Sequence, residues 1–450
     1  MFEMLALISA MALPSHGAQD TRVRPDVKTY TGSFADGATY LIQVPKNWNG
    51  TFVLYSHGYV EPGQPNPAYD VGDPVTGKYL LSKGYALGGS SYATTGWAIQ
   101  QALPDQVEVL STFQSLVGQP TRTIAWGHSL GGMVTAGLVQ QYPTLFDGAQ
   151  PMCGVVGGGV GIWNVALDAA FAFNTLVAGG ALQVVDITNP TYNFEAAEAY
   201  LSAAQNTPQG QARIALTAAL ADTPGWYNPA YPPPAPTDYA DQENNQYEWF
   251  SQVDFPFDFA LRAELEARAG GNPSWNNGVN YDVQLSKSVN RDEVIALYKT
   301  AGLSLDADLA TLRKAQRITA DSSAVTYLSQ NIIFDGQISI PVLTMHTEGD
   351  GLVGNQNESA YELAVQGAGN QADLRRLFIY RAGHCEFTPA ETIAAFEQLI
   401  SRLDTGHWGI LTPQVLNGSA AALGNTYNPV PPQFNTYHPL PFLRLYNGTP

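Results

Sequence analysis

The sequence predicts an α/β protein: a mostly parallel central sheet with flanking helices, interrupted by a long helical insert. Three observations carry this expectation. Short apolar runs of β type alternate with helical stretches over residues 30–153. The same rhythm resumes at Pro341. Between them, residues 154–337 show helical periodicity and few strand signals. Alternating strands and helices bury a parallel sheet on both faces, and a helical stretch of this length does not belong to the sheet.

In chain order, residues 51–55 (TFVLY), 85–89 and 122–126 (RTIAW) read as buried strands, and residues 105–116 and 133–141 as helices. The insert carries helical patterns at 167–177, 193–205, 260–269, 292–301 and 308–317. It also holds an aromatic, Pro-rich loop at 226–236 and an Asn/Gly-rich loop at 270–280. Residues 342–346 and 374–380 are again strand-like. A helix over 388–403 has Thr388 to cap it, Pro389 in its first turn and Glu391 to complete a capping box. The last stretch, 406–450, is rich in Pro, Asn and Tyr and reads as an extended strap. The expected organisation is a signal peptide over 1–18, a core from 19–153 and 338–405, a helical cap over 154–337 and an extended tail over 406–450.

Composition narrows the partners. Lys+Arg total 21 against 39 Asp+Glu, a formal charge of -18. Such a chain repels nucleic acid and anionic membrane surfaces. Only 13% of residues are charged, and the surface polarity of Asn, Gln, Ser and Thr suits an extracellular protein. Met4 to Leu13 is a short apolar run, followed by small residues with a plausible cut after Ala18. This has the form of a secretory signal, although it lacks a basic start and Glu3 is acidic. The alternative is an apolar N-terminus that stays on the chain. Export to an extracellular or periplasmic compartment is the expectation, with no membrane anchor, since no run reaches the length of a bilayer span. Asn-x-Ser/Thr acceptor sequences stand at Asn49, Asn357, Asn417 and Asn447.

The chemistry centres on residues 122–133, RTIAWGHSLGGM. A catalytic hydroxyl needs exposure, a base and nearby donors, and a sharp strand-to-helix turn provides the exposure. Gly127 and Gly131 flank Ser129 at the spacing that lets strand and helix approach. In a chain with 43 Gly the five-residue pattern is weak alone. Its context is specific: an apolar β-run directly before it and a small-residue helix directly after. The structural alternative is a Gly-rich helix start with an ordinary capping Ser.

With this context the chain resembles the α/β-hydrolase superfamily over about residues 30–153 and 341–403. The resemblance implies an α/β-hydrolase fold and the chain order nucleophile, acid, His. It places the acid in the turn after residues 342–346, at Asp350, with Glu348 as the rival. It places the base just after the last strand, at His384. Of the seven His, at 16, 57, 128, 346, 384, 407 and 438, His384 alone has that order and context. His128, within the elbow, is expected to pack behind the strand. Residues 56–59 (SHGY) resemble the His-Gly turn of many members, so the backbone N–H groups of Tyr59 and Leu130 are the expected oxyanion donors. No cofactor is implied, and His57, His346 and His384 lack metal-ligand spacing.

Cys153 and Cys385, the only cysteines, form a disulfide in an oxidising compartment or remain two buried thiols. A Cys beside the base is also a feature of feruloyl esterases and tannases, but there the partner Cys directly precedes the nucleophile. His128 occupies that position here, so that family is not carried over.

The resulting expectation is a secreted carboxylic ester hydrolase acting on a small-molecule or polymeric ester through Ser129, His384 and Asp350. The cap aromatics (Trp163, Phe171, Phe173, Trp226, Tyr227, Trp249, Phe250, Phe255, Phe257 and Trp275) are expected mostly in the cap's own core, with some available for an apolar or aromatic acyl group. A serine peptidase of the prolyl-peptidase type is the alternative, with cap carboxylates as a potential amine site. A non-catalytic binding protein on the same fold is the third reading.

Overall fold

The computed structural model describes residues 26–446 and Gly448. The expected signal peptide, residues 1–18, and Asn447 lie outside the described residues.

Among the described residues nine strands form one sheet: β1 (Val27–Ser33), β2 (Thr39–Pro45), β3 (Thr51–Ser56), β4 (Ala86–Ser90), β5 (Arg122–His128), β6 (Gly148–Met152), β7 (Val342–Gly349), β8 (Leu374–Ala382) and β9 (Phe434–Asn435). Their spatial order is β1-β2-β4-β3-β5-β6-β7-β8-β9. Pairing is parallel from β4 through β3, β5, β6 and β7 to β8 and antiparallel at both edges. The first helices are α1 (Pro74–Ser82), α2 (Ile99–Leu116) and α3 (Leu130–Gln141).

The apolar pattern explains the layering. Every residue of β3 is buried, as a strand covered on both faces requires. Phe52 and Leu54 point into one core, with Phe113 of α2 and Val134 of α3. Val53 and Tyr55 point into the other, with Leu80 of α1. The period-2 alternation of side chains therefore feeds two cores from one strand.

Between β6 and β7 the chain forms nine helices: α4 (Gly159–Leu176), α5 (Pro190–Gln205), α6 (Pro208–Ala221), α7 (Tyr239–Trp249), α8 (Arg262–Ala269), α9 (Tyr281–Lys287), α10 (Arg291–Ala301), α11 (Leu305–Lys314) and α12 (Ser322–Gln330). Two π-helical turns, Phe250–Asp254 and Phe257–Leu261, join α7 to α8. Sequence patterning misses α6, α7, α9 and α12. α6 is rich in Ala and its buried face carries small residues such as Ala212, Ala215 and Ala219, so its apolar stripe has little contrast. The helix expected at 260–269 starts two residues late because the π turn occupies its first positions. Phe171 packs in one cluster of this helical layer, and Phe173, Phe250 and Phe255 in another.

After β7 come α13 (Gln356–Gly367), α14 (Pro389–Thr405) and α15 (Pro413–Ala422). α14 has the predicted capping box: Thr388 Oγ1 accepts from Glu391 N, and Glu391 accepts from Thr388 N. The Glu391 carboxylate also takes a bidentate pair from Arg381 at 2.7 and 3.0 Å.

The tail departs from the expectation of an extended strap. Residues 413–422 are helical, with Leu416 and Ala420 buried, and Phe434–Asn435 adds a strand to β8. Pro413 at the first turn and a buried i, i+4 pair explain the helix. Asn357, read as a glycan acceptor sequence, is fully buried and donates to Gly354 O, so it is no acceptor in the folded chain. Among the described residues, no helix is long and apolar enough to cross a membrane.

Candidate active site

The parallel strands end along one rim, and three side chains meet there. Ser129 stands between β5 and α3 with φ 58° and ψ -124°, a backbone conformation costly for a residue with a Cβ. The flanking glycines explain how the turn closes. A Cβ on Gly131 would come 2.0 Å from Ser56 O, and one on Gly127 would come 2.5 Å from Gly131 O. The Ser129 amide donates to Met152 O at 3.0 Å, which pins the turn to β6.

Ser129 Oγ lies 2.8 Å from His384 Nε2, although the two residues are 255 apart in sequence. His384 Nδ1 lies 2.7 Å from Asp350 Oδ2. The other Asp350 oxygen accepts from Val353 N at 3.0 Å. All three residues are buried. Glu348, the rival acid, is turned away: Asn435 Nδ2 donates to it at 2.7 Å.

A second histidine stands behind Asp350, and sequence reading missed its position. His346 is buried on β7, four residues before Asp350. Its Nε2 donates to Val353 O at 2.7 Å and lies 3.3 Å from Asp350 Oδ2. Its Nδ1 is 3.2 Å from Glu358 Oε1, and Thr344 Oγ1 donates to the other oxygen of Glu358. Burial by itself opposes charge on His346, but the two carboxylates outweigh it and push its pKa up to about 10. Burial would also raise the Asp350 carboxyl. The positive charge and hydrogen bonds of His384 and His346 outweigh that penalty and hold it below the usual carboxylate value. The i, i+4 spacing of His346 and Asp350 is visible in the sequence. Nothing local shows that Glu358 faces the same imidazole.

Cys153 and Cys385 form a disulfide, with Cα atoms 5.4 Å apart and the two residues 232 apart in sequence. Both take positive φ, 43° and 58°. Cys385 Sγ lies 3.4 Å from His384 Nε2, so the bridge ties the loop of the imidazole to the end of β6. Closing a loop this long nominally stabilises by about 5 kcal/mol, less whatever the two left-handed residues cost.

The turn expected to hold the oxyanion is braced from behind. His57 stacks on Tyr92, with centroids 4.0 Å apart, and its ring bonds Gly58 O and Ser91 O. Tyr92 OH donates to His57 O at 3.0 Å. Residues 90–92 thus support the turn and do not line the cavity. Tyr59 and Leu130 do line it, beside Ser129. His128 packs behind β5, with Nδ1 3.3 Å from Tyr55 OH.

The cavity that opens on Ser129 holds about 1000 Å³ of space, part of it open to solvent. Its walls come from three regions. Trp97 and Leu130 belong to the core, Trp163, Ile162 and Phe257 to the helices between β6 and β7, and Phe442 and Leu443 to the tail. Among the described residues, Cys153, His384 and Cys385 form the one cluster compact enough to suggest a metal ion. Both sulfurs are spent in the disulfide and the imidazole nitrogen is bonded to Ser129, so the cluster offers no ligand set.

An o-phthalyl amidase of Xanthobacter agilis is 30% identical to this chain over 422 residues, covering 87% of this chain and 90% of that protein. The chain belongs to that amidase's family, within the α/β-hydrolase superfamily. No protein-family model matches it. Solved structures similar to this α/β-hydrolase include an esterase from Aspergillus oryzae (14% identity, TM-score 0.41, covering 87% of this chain and 89% of that one). Feruloyl esterase B from Aspergillus oryzae is similar at 12% identity and TM-score 0.40, over 84% and 80% of the two chains. The acylaminoacyl peptidase of Pyrococcus horikoshii is similar at 10% identity and TM-score 0.38, over 84% of this chain and 41% of that one. The chain is a hydrolase by its kinship with the amidase.

Proposed function

We propose that the protein is an exported serine hydrolase that cleaves carboxylic esters of apolar or aromatic acids through an acyl-enzyme. The observation that carries this reading is the continuous hydrogen-bonded line from Ser129 Oγ through the His384 imidazole to Asp350, ending in an apolar cavity.

In this mechanism the Ser129 oxygen attacks the substrate carbonyl carbon while His384 Nε2 takes the hydroxyl proton. Asp350 keeps the imidazole in the tautomer whose Nε2 can accept, and stabilises the imidazolium that forms. The carbonyl π electrons move to oxygen, and the N–H groups of Tyr59 and Leu130 are assigned to that oxyanion. The tetrahedral species collapses with loss of the alcohol, which takes the proton from His384. Water then repeats the sequence on the acyl-enzyme. Residues 154–337 act as a cap that shapes the acyl pocket. The disulfide at the base loop and the apolar N-terminal run support export.

A second reading, amide cleavage, is favoured by the related protein's being an amidase. The two bonds use the same residues and differ in the leaving group that His384 must protonate. A fluorophosphonate probe is expected to label the wild-type protein at Ser129 and to leave Ser129→Ala unlabelled. Equal labelling of the variant would sink the reading. Matched p-nitrophenyl esters and p-nitroanilides of one aromatic acid, compared by kcat/KM, separate ester from amide preference.

A further inference from the structure

Asp350 is itself held by a buried ion pair to which the proposed chemistry gives no part. His346 on β7 faces two carboxyl groups from different elements. One is Asp350, in the turn after its own strand, and the other is Glu358, in the first turn of α13. The side chains of His346 and Asp350 are completely buried, and Glu358 is nearly so.

Hydrogen-bond polarity fixes the charge of the His346 ring. A carbonyl oxygen can only accept, so the 2.7 Å contact with Val353 O puts a proton on Nε2. Glu358 takes the Thr344 hydroxyl on one oxygen and meets Nδ1 at 3.2 Å with the other. Facing a carboxylate, Nδ1 carries a proton too, and the ring is an imidazolium. The N-terminal turn of α13 favours the negative charge on Glu358 that this requires. His384 is the opposite case, because its Nε2 accepts from Ser129.

The same ring braces the carboxylate. Val353 N donates to Asp350 Oδ1 at 3.0 Å, Val353 O accepts from His346 Nε2, and that nitrogen stands 3.3 Å from Asp350 Oδ2. His346, Asp350 and Val353 thus close a ring. It fixes the carboxylate that His384 Nδ1 meets at 2.7 Å.

We infer that His346 is a positioning residue: its positive charge, shared between Asp350 and Glu358, holds Asp350 in place and extends the working range of the triad toward acid pH. A cation behind Asp350 offsets part of the negative charge that favours a proton on the base. Without it, the base would keep that proton up to higher pH. The inference rests on the triad reading of Ser129, His384 and Asp350.

The neighbouring groups agree. Burial opposes charge on His346, but the hydrogen bonds and charges of Asp350 and Glu358 outweigh it and push the ring up to about 10. On the cap side, Asp254 lies near enough to feel the charge of Asp350. Burial, with the charges of Asp258 and Asp350, raises its carboxyl, so it brings no further negative charge at neutral pH. Behind Glu358, burial and the charges of Glu358 and Asp335 raise the Tyr361 phenol, which stays neutral. Glu348 accepts from Asn435.

Two measurements test the inference. In wild-type protein carrying 15N-histidine, one imidazolium is expected to keep both protons at about pH 8.5, where an ordinary histidine has lost its charge. Its signal should vanish in His346→Gln. The second measurement is the rate of Ser129 labelling by a fluorophosphonate, which follows the unprotonated base as pH is varied. In His346→Gln its acid limb is expected to move up by about half a pH unit, a loss of about threefold in rate below the limb. His346→Gln combined with Glu358→Gln removes the whole pair, leaves no lone buried carboxylate to unfold the variant, and should move the limb the same way. A limb that stays in place in the folded variants, while only the plateau rate or the melting temperature falls, would make His346 structural and overturn the inference. So would a wild type in which no imidazolium survives to about pH 8.5. A wild type that does not label at Ser129 defeats the triad reading itself, whereas labelling with an unmoved limb defeats this inference alone.

Discussion

At the ends of β5, β6 and β8 the cost of the site is carried by backbone: Ser129, Cys153 and Cys385 all take positive φ without being glycine. Each such residue costs about 1–3 kcal/mol and persists only where its surroundings over-determine it. Here the disulfide, the Ser129 N to Met152 O bond and the close-packed glycines do so. The residue types at 129, 350 and 384 were legible in the sequence because each follows a strand-like run in the expected order. The choice between Asp350 and Glu348 was not, since both lie in one turn. Plain strand alternation would put residues 348 and 350 on one face, but a register irregularity between Thr347 and Gly349 interrupts it, and Asp350 meets the imidazole while Glu348 meets Asn435. Asp350→Asn is expected to keep the fold and lower kcat by about 10⁴, since the amide presents the wrong partner to Nδ1. Circular dichroism with steady-state kinetics checks it, and near-normal turnover would remove Asp350 from the acid role.

Among the elements, the central strands and α14 were readable because their signals are local: continuous apolar runs, a capping box and a proline at the first turn. The tail was not. α15 shows a Pro start but a weak stripe, and the last described residues act by reaching a distant partner. Arg444 donates to Asp168 at 2.5 Å and to Trp275 O at 2.6 Å, with Asp168 fully buried on α4. Phe442 and Leu443, just before it, form part of the cavity wall. Arg444→Met leaves the Asp168 charge without its cation, which costs about 3–5 kcal/mol where a buried pair is broken. The expected result is a lower melting temperature together with a raised KM for bulky apolar esters, as the wall loosens. An unchanged KM would show that residues 442–443 hold their place without the anchor.

Over the whole molecule, buried acids set the response to pH. Burial pushes Asp105 and Glu243 up to about 7 and Glu293 up to about 8. A carboxyl with a raised folded pKa keeps its proton in the native state after the unfolded chain has released it. Its contribution to stability is full below its ordinary value near 4 and is lost as pH rises through the raised value. His346, held charged up to about 10 against an ordinary 6.5, loses its contribution over that higher window, again as pH rises. Asp350 works the other way, losing its contribution as pH falls through its depressed value. The net charge of -18 adds self-repulsion at higher pH. The melting temperature should therefore peak near about pH 5 and fall steadily toward about pH 9. His346→Gln should flatten the upper part of that fall. A profile rising from neutral to alkaline pH would contradict this account.

The sequence by itself determined what local order can encode: the strand–Ser–helix turn, the fold class, the order of Ser129, Asp350 and His384, and the long helical stretch before β7. These depend on neighbours a few residues apart, whose periodicity and turn chemistry survive in a one-dimensional record. Only the tertiary structure decided which groups meet across long separations. Glu358 behind His346 and Arg444 on Asp168 were invisible beforehand. Whether a buried charge is paired or shared depends on what lies opposite it in space, and packing settles that, not spacing along the chain.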